Sequence, residues 1–197
     1  MEWVTTTTVL DALRNFSNEE AWGSFVDRFR DPIVRFAERG GLSQAAAQDV
    51  AQETLLTFIT AWRDDRYDRT KGRLSAWLFG IASRKVLSGR RADRRQDAER
   101  GSEEAGVSQI PGEAAEAALQ STWEEVWQRN LLVQAAHRLR EESSEKTFLA
   151  FTMTVFEKRP GEDVAAELGM TVNAVYLAKS RMLGRLRLLI HALEDLA

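Results

Sequence analysis

The sequence predicts an all-α protein made of two small helical domains joined by a flexible linker. Three observations carry that reading. Apolar residues recur at three- and four-residue steps through most of the chain, the spacing that lines one face of a helix. Val, Ile and Thr never alternate with polar residues for long enough to form a strand. The 197 residues contain only three prolines and twelve glycines, and the stretch 101–118 gathers Gly, Ser, Pro111 and acids without periodicity, as a tether does. The expected domains are therefore 1–98 and 122–197, with 99–121 between them.

Each element has its own signal. Ser17 followed by Glu20 has the form of a capping box, in which side chains satisfy the backbone donors orphaned at a helix start. Trp22, Phe25, Val26, Phe29, Ile33 and Phe36 then step by three and four. Pro32 marks a kink or a split in that helix, and Gly40-Gly41 its end. Ser43 caps a second helix running to about Trp62, with Ala51, Leu55, Phe58 and Trp62 as its apolar stripe. A polar loop over 64–73 leads to a third helix holding Trp77, Leu78, Ile81, Ala82 and Val86. In the second half, Trp123, Trp127 and Leu131 step by four, with Leu139 closing their helix. Phe148, Phe151, Met153, Val155 and Phe156 mark the next, and a final pair of helices flanks Gly169. Trp22, Trp62, Trp77, Trp123 and Trp127 are expected in the core, because two small domains need large buried areas per residue.

Composition excludes several classes of function. There is no cysteine, hence no disulfide and no thiolate metal site. His137 and His191 are far apart and lack ligand spacing, so neither metal nor other cofactor is expected. No apolar run spans a bilayer and the start is unlike a signal peptide, which places the chain in the cytosol with no membrane role. No Gly-rich phosphate loop with a lysine occurs, and no nucleophilic triad, so catalysis is not expected. The formal net charge is −3, but its distribution says more than its sum. Bases outnumber acids seven to three over 84–100 and four to none over 179–187. Two basic patches on an acidic background suit two contacts with a polyanion, although each is also what a solvated helix face looks like.

Residues 161–180 carry the stronger local motif. A helix-turn-helix needs a small residue where its helices touch, and Ala165 supplies it. Four residues later the turn needs positive φ, which Gly169 tolerates. Val175 then packs the second helix back onto the first, with Val164, Leu168 and Met170 completing a small core and Thr171 as N-cap. In that geometry the second helix enters the major groove. Thr171, Val172, Asn173 and Tyr176 face bases, while Lys179, Arg181 and Arg185 face phosphates. A plain helical hairpin with a glycine turn is the alternative; the basic stretch directly after it favours DNA.

The first half adds a second set of residues: Asp49-Val50-Ala51-Gln52-Glu53-Thr54, Ala61-Trp62, and Gly72-Arg73-Leu74-Ser75-Ala76-Trp77-Leu78-Phe79-Gly80-Ile81-Ala82. These resemble region 2 of the sigma-70 family of RNA polymerase sigma factors, extracytoplasmic-function group. Ala174-Val175, Lys179-Ser180-Arg181 and Arg185-Leu186-Arg187 resemble the corresponding region 4. The resemblance covers about residues 20–95 and 122–190. It implies a factor that is not an enzyme and directs bacterial RNA polymerase to promoters, reading the −35 element as duplex and the melted −10 element as single strand. It implies docking of the second helix on the clamp of the polymerase's largest subunit, here through Asp49, Gln52, Glu53 and Leu56. It also implies that the 64–73 loop captures an unstacked base, a step costing a few kcal/mol that a pocket and stacking offset. Tyr67 is the aromatic for that role, or else a packed loop tyrosine. Lys71, Arg73, Arg84, Lys85, Arg90 and Arg91 would follow backbone phosphates.

Two departures stand out. Ala46, Ala47 and Gln48 precede Asp49 where the family usually carries more acids, which thins the charge offered to the clamp. Phosphorylation at Thr54 or Thr57 would restore it; constitutive, weaker docking is the simpler alternative. Ala178 stands where an arginine is frequent. An anti-sigma protein or a protein kinase is the expected kind of regulator. A stand-alone helix-turn-helix regulator and a pure interaction protein are the rival readings.

Overall fold

A computed structural model describes residues 12–15, 17–99 and 112–194. Among the described residues there are seven α-helices and no strand, the all-α class that the periodicity predicts. They are α1 (Glu19–Arg39), α2 (Gln44–Arg63), α3 (Leu74–Glu99), α4 (Gly112–Glu141), α5 (Glu145–Val155), α6 (Gly161–Leu168) and α7 (Val172–Glu194). A single 3-10 turn, Arg69–Lys71, lies between α2 and α3. The chain divides into two compact units between Gln128 and Arg129, inside α4. Of the stretch expected to be a linker, 100–111 lies outside the described residues, whereas the part from Gly112 is helix.

The first unit begins one residue later than its capping signal. Asn18, not Ser17, is the N-cap of α1, accepting from the backbone N–H of Ala21. Pro32 stays inside α1 and does not end it. Ser43 caps α2 as expected, accepting from Ala46 N–H. The core is a cluster of rings centred on Phe58, which is fully buried. Phe25 stacks on it at 4.7 Å and Trp77 meets it edge-on at 5.5 Å. Trp62 and Tyr67 both lie 6.0 Å from it. Such pairs add about 0.5–1.5 kcal/mol each beyond the area they bury. The end of α1 comes close to α3 because Gly40 has no side chain: a Cβ there would sit 2.8 Å from Val86 Cγ1. The Arg90 guanidinium, on α3, donates to the Gly40 carbonyl and so caps α1 from outside.

The amino-terminal half of α4 belongs to this unit, not to the second. Trp127 stacks on Phe29 at 5.6 Å, and Trp123 meets Phe36 at 5.3 Å and Phe79 at 5.9 Å. The reason is visible along the helix. Leu119, Trp123, Trp127, Leu131, Ala135 and Leu139 are all buried and all four residues apart. Steps of four overshoot a 3.6-residue turn by about 40° each, so the stripe rotates by roughly 200° from end to end. One helix thereby presents apolar residues to one unit early and to the other late.

The second unit packs α5, α6 and α7 around smaller side chains where α6 meets α7, with Phe151 of α5 fully buried beside Phe148 and Phe156. Ala150, Val164, Ala165, Val175 and Ala178 form its buried cluster, with Met153, Leu168 and Met170 against it. Further along α7, Met182, Leu186, Leu189 and Leu193 are buried at steps of three and four.

Candidate functional site

The second unit contains the turn that the spacing predicts. Gly169 ends α6 with φ 58° and ψ 46°, in the left-handed region, and its carbonyl accepts from Lys146 Nζ at 3.2 Å. Thr171 Oγ1 accepts from the Ala174 N–H at 3.1 Å, which fixes the start of α7. From that start Thr171, Val172, Asn173 and Tyr176 project to solvent, as does Arg181. Lys179 is half-buried. The Tyr176 ring lies over Gly161: a Cβ at Gly161 would come within 2.8 Å of its Cζ. Lys158, Arg159, Gly161, Tyr176 and Lys179 line an open groove there. Ala178 is 7% exposed and belongs to the packing cluster. In this chain the position packs in the cluster with Ala150, Val164, Ala165 and Val175.

Arg185 is engaged within its own unit. Its guanidinium pairs with Glu142 at 2.8 Å, and Glu142 also receives Arg138 at 2.6 Å. The hydrogen bond from Arg138 foremost, then that from Arg185, holds the Glu142 carboxyl below its ordinary range. Arg185 therefore ties α7 to the end of α4, with its side chain 48% exposed. Arg181 makes no ion pair among the described residues.

In the first unit, Asp49, Gln52, Glu53 and Leu56 all lie on the exposed side of α2. Leu56 is 55% exposed, unusual for a leucine opposite a packed stripe. Glu53 is not free within this face, because Lys85 Nζ reaches it from α3 at 2.6 Å. That contact joins a residue expected to meet polymerase with one expected to meet phosphate. Lys85 is thus drawn towards a structural ion pair. Arg90, half-buried on the end of α1, is likewise a capping residue first. Lys71, Arg73, Arg84 and Arg91 remain exposed bases.

Burial bears on two further expectations. Thr54 is fully buried and donates to the Val50 carbonyl at 2.7 Å. It follows Val50 and Ala51 by four and three residues, so it turns with the core stripe although Glu53 beside it faces water. It cannot serve as a phosphorylation site in this fold. Thr57 is exposed, with its hydroxyl on the Glu53 carbonyl. Tyr67 is 9% exposed, ringed by Phe58, Trp62 and Trp77, and its hydroxyl donates to Gly72 O at 3.4 Å. Its ring fills the core under the loop, in keeping with the packed-tyrosine alternative. Asp68 is the loop residue that the sequence reading missed. Its Oδ1 accepts from Thr70 N–H at 2.9 Å and Thr70 Oγ1 at 2.7 Å. Those bonds, that from the Thr70 hydroxyl foremost, hold its carboxyl low. The Asp-x-Thr spacing was the available signal.

No group of acids and histidines suited to a metal occurs among the described residues. None of their helices is long and apolar enough to cross a membrane.

The first unit thus presents an α2 face with an exposed leucine, and the second a helix-turn-helix. The family model for Sigma-70 region 2 matches residues 25–96. The chain is 36% identical over 187 residues to "ECF RNA polymerase sigma factor SigD" of Mycobacterium tuberculosis (strain ATCC 25618 / H37Rv), covering 87% of this chain and 78% of that protein. The same figures hold for the protein of that name in Mycobacterium bovis. It is 24% identical over 99 residues to "ECF RNA polymerase sigma factor RpoE" of Cereibacter sphaeroides, covering 50% of this chain and 51% of that protein. The chain belongs to the extracytoplasmic-function group of sigma-70 RNA polymerase sigma factors. It is accordingly an RNA polymerase sigma factor for promoter-specific transcription.

Proposed function

We propose that the first unit docks on core polymerase and handles the melted −10 strand, while α7 reads the −35 element as duplex. The observation that carries this is the Thr171-capped start of α7, where Val172, Asn173 and Tyr176 are all exposed beyond a left-handed Gly169. It is the end of a helix-turn-helix that meets base edges. On the first unit, Asp49, Gln52, Glu53 and Leu56 supply the polymerase face, a leucine flanked by polar groups, directed to the clamp of the largest subunit. Lys71, Arg73, Arg84 and Arg91 supply the phosphate track, with Lys71 paired to Asp68 of the loop turn at 3.6 Å. Melting is driven by binding the displaced strand, so no hydrolysis and no bound nucleotide is required. An anti-sigma protein or a kinase enters as regulator through the family resemblance; Thr57, exposed on the docking face, is the residue a kinase would reach.

Run-off transcription with purified core polymerase over a promoter library is the test. Defined start sites that vanish with Asn173→Ala support the reading. Absence of promoter-specific initiation across the library overturns it, and tight binding of one palindrome without polymerase would point instead to a stand-alone regulator.

A further inference from the structure

Tyr176 differs from Val172 and Asn173, with which it shares the exposed start of α7. Its ring, 50% exposed, leans on the neighbouring helix: a Cβ at Gly161 would stand 2.8 Å from Tyr176 Cζ and 3.0 Å from the hydroxyl oxygen. The ring lies against the start of α6 because position 161 carries no side chain. The Tyr176 hydroxyl makes no hydrogen bond among the described residues. The cations that line the same groove are not equivalent. Arg159 is paired with Glu167 at 2.5 Å and with Glu157 at 3.9 Å, and Asp163 acts on it as well. Lys158 and Lys179 line the groove too, and neither forms an ion pair among the described residues. Lys158 has φ 56°, in the left-handed region that glycine or asparagine usually fills after a helix. Strain of that kind is a mark of sites that use the strained residue.

A phenol hydroxyl beside two ammonium groups without acid partners is a donor set for one phosphate. In a helix-turn-helix the second helix meets base edges and the first crosses the backbone. A side chain that leaves α7 to rest on α6 therefore passes from the bases to the backbone. We propose that Tyr176, Lys158 and Lys179 together hold one backbone phosphate of the −35 duplex, so that Tyr176 sets the register of α7 while base choice falls to Val172 and Asn173. Gly161 is the slot that keeps the ring on the backbone side. The assignment rests on the reading of α7 as the −35 helix.

Run-off over the promoter library first gives the unsubstituted chain, with core polymerase, a −35 duplex. Binding of full-chain variants with core polymerase is then measured on that duplex, with each −35 base pair changed in turn and with single methylphosphonates replacing phosphates one at a time. Tyr176→Phe keeps the ring and removes only the hydroxyl. It is expected to weaken binding about tenfold, by the same factor for every base variant, as loss of a backbone contact does. On one methylphosphonate duplex its effect should vanish, because the shared partner is already gone. Lys158→Gln together with Lys179→Gln should lower the slope of log affinity against log salt by about 0.9, the value of one phosphate. Tyr176→Phe should leave that slope unchanged, since the phenol is neutral. Lys158→Gly, in which the left-handed backbone is unstrained, should weaken binding without lowering the melting temperature; unchanged binding would remove the lysine from the site. A Tyr176→Phe loss that depends on one base pair, or that persists on every methylphosphonate duplex, overturns the proposal. If the unsubstituted chain selects no −35 sequence, the reading of α7 fails and the phosphate site with it. A selected sequence that Tyr176→Phe binds as tightly as the unsubstituted chain sinks the phosphate site alone.

Discussion

Rings link several helices of the first unit, whereas in the second they stay near α5, at Phe148, Phe151 and Phe156, and small residues fill the α6–α7 contact; the difference bears on where each unit keeps its proposed recognition residues. Phe25, Phe29, Phe36, Phe58, Trp77, Trp123 and Trp127 hold helices together across several elements. Polar residues in that unit are recruited into cross-element contacts as well, Lys85 with Glu53 and Arg90 with Gly40. The second unit needs only small residues where α6 meets α7, so the start of α7 stays exposed. The proposed recognition residues are thus spread over several elements in one unit and gathered near the start of one helix in the other.

The largest effect that sharpens this contrast is Phe58→Ala. Removing a ring that touches four others is expected to cost about 3–5 kcal/mol. Val175→Ala, at the centre of the second core, removes two methyl-sized groups at about 0.8 kcal/mol each. The two are read separately, because all six tryptophans precede the boundary at Gln128. Tryptophan fluorescence in a thermal melt follows the first unit only, and far-ultraviolet circular dichroism follows both. Equal losses for the two variants would break the contrast.

Next in size is the split between two arginines of α7. Arg181→Ala is expected to lower the slope of log affinity against log salt for a −35 duplex by about 0.9, the value of one phosphate contact. Arg185→Ala should leave the slope nearly unchanged and lower the melting temperature of the second unit, because it removes a partner of Glu142. A slope change of the same size for both would return Arg185 to the DNA face.

Gly161→Ala is smaller and more specific. Its Cβ pushes on the Tyr176 ring, and displacing that ring from its rotamer costs roughly 1 kcal/mol, about fivefold in −35 affinity. In a Tyr176→Ala background the same substitution should do nothing, since the double-mutant cycle removes the shared contact. An undiminished effect there would mean that Gly161 acts through the backbone of α6.

The sequence made local features legible and long-range pairing illegible. The helix-turn-helix was readable because its determinants, Ala165, Gly169, Thr171 and Val175, act on neighbours within ten residues. Helical class and the α2 face were readable from periodicity. Tyr67 was left open between two roles, because a loop aromatic carries no mark of whether rings from Phe58, Trp62 and Trp77 will close round it. Thr54 was misplaced because its neighbour Glu53 is acidic and exposed, while a helix turns by about 100° between the two. Arg90 and Arg185 looked like members of basic patches; only the fold brings Gly40 and Glu142 to them, 50 and 43 residues away. The position of Trp123 and Trp127 in the first unit was hidden for the same reason. A stripe at steps of four rotates, and the sequence alone does not say at which residue it changes partner.

The smallest expected effect follows from Glu142. Its carboxyl is held below its ordinary value by Arg138 and Arg185 in the folded state, and in the unfolded chain it returns to that value. Stability from this cause is therefore fully present above the unfolded value, near 4.5, and is lost as pH falls through the folded one. Partly exposed pairs of this kind contribute below about 1 kcal/mol, so the loss is a slope and not a collapse. Asp68 in the first unit is held low in the same direction, but its bonds stay within one loop, whereas Glu142 joins α4 to α7. On acidification below about pH 5, Glu142→Gln should therefore flatten the stability loss seen by circular dichroism while leaving the tryptophan-reported melt of the first unit unaltered. An equal flattening in the tryptophan signal would show that Glu142 stabilises more than its own unit, and would weaken the division of the chain at Gln128.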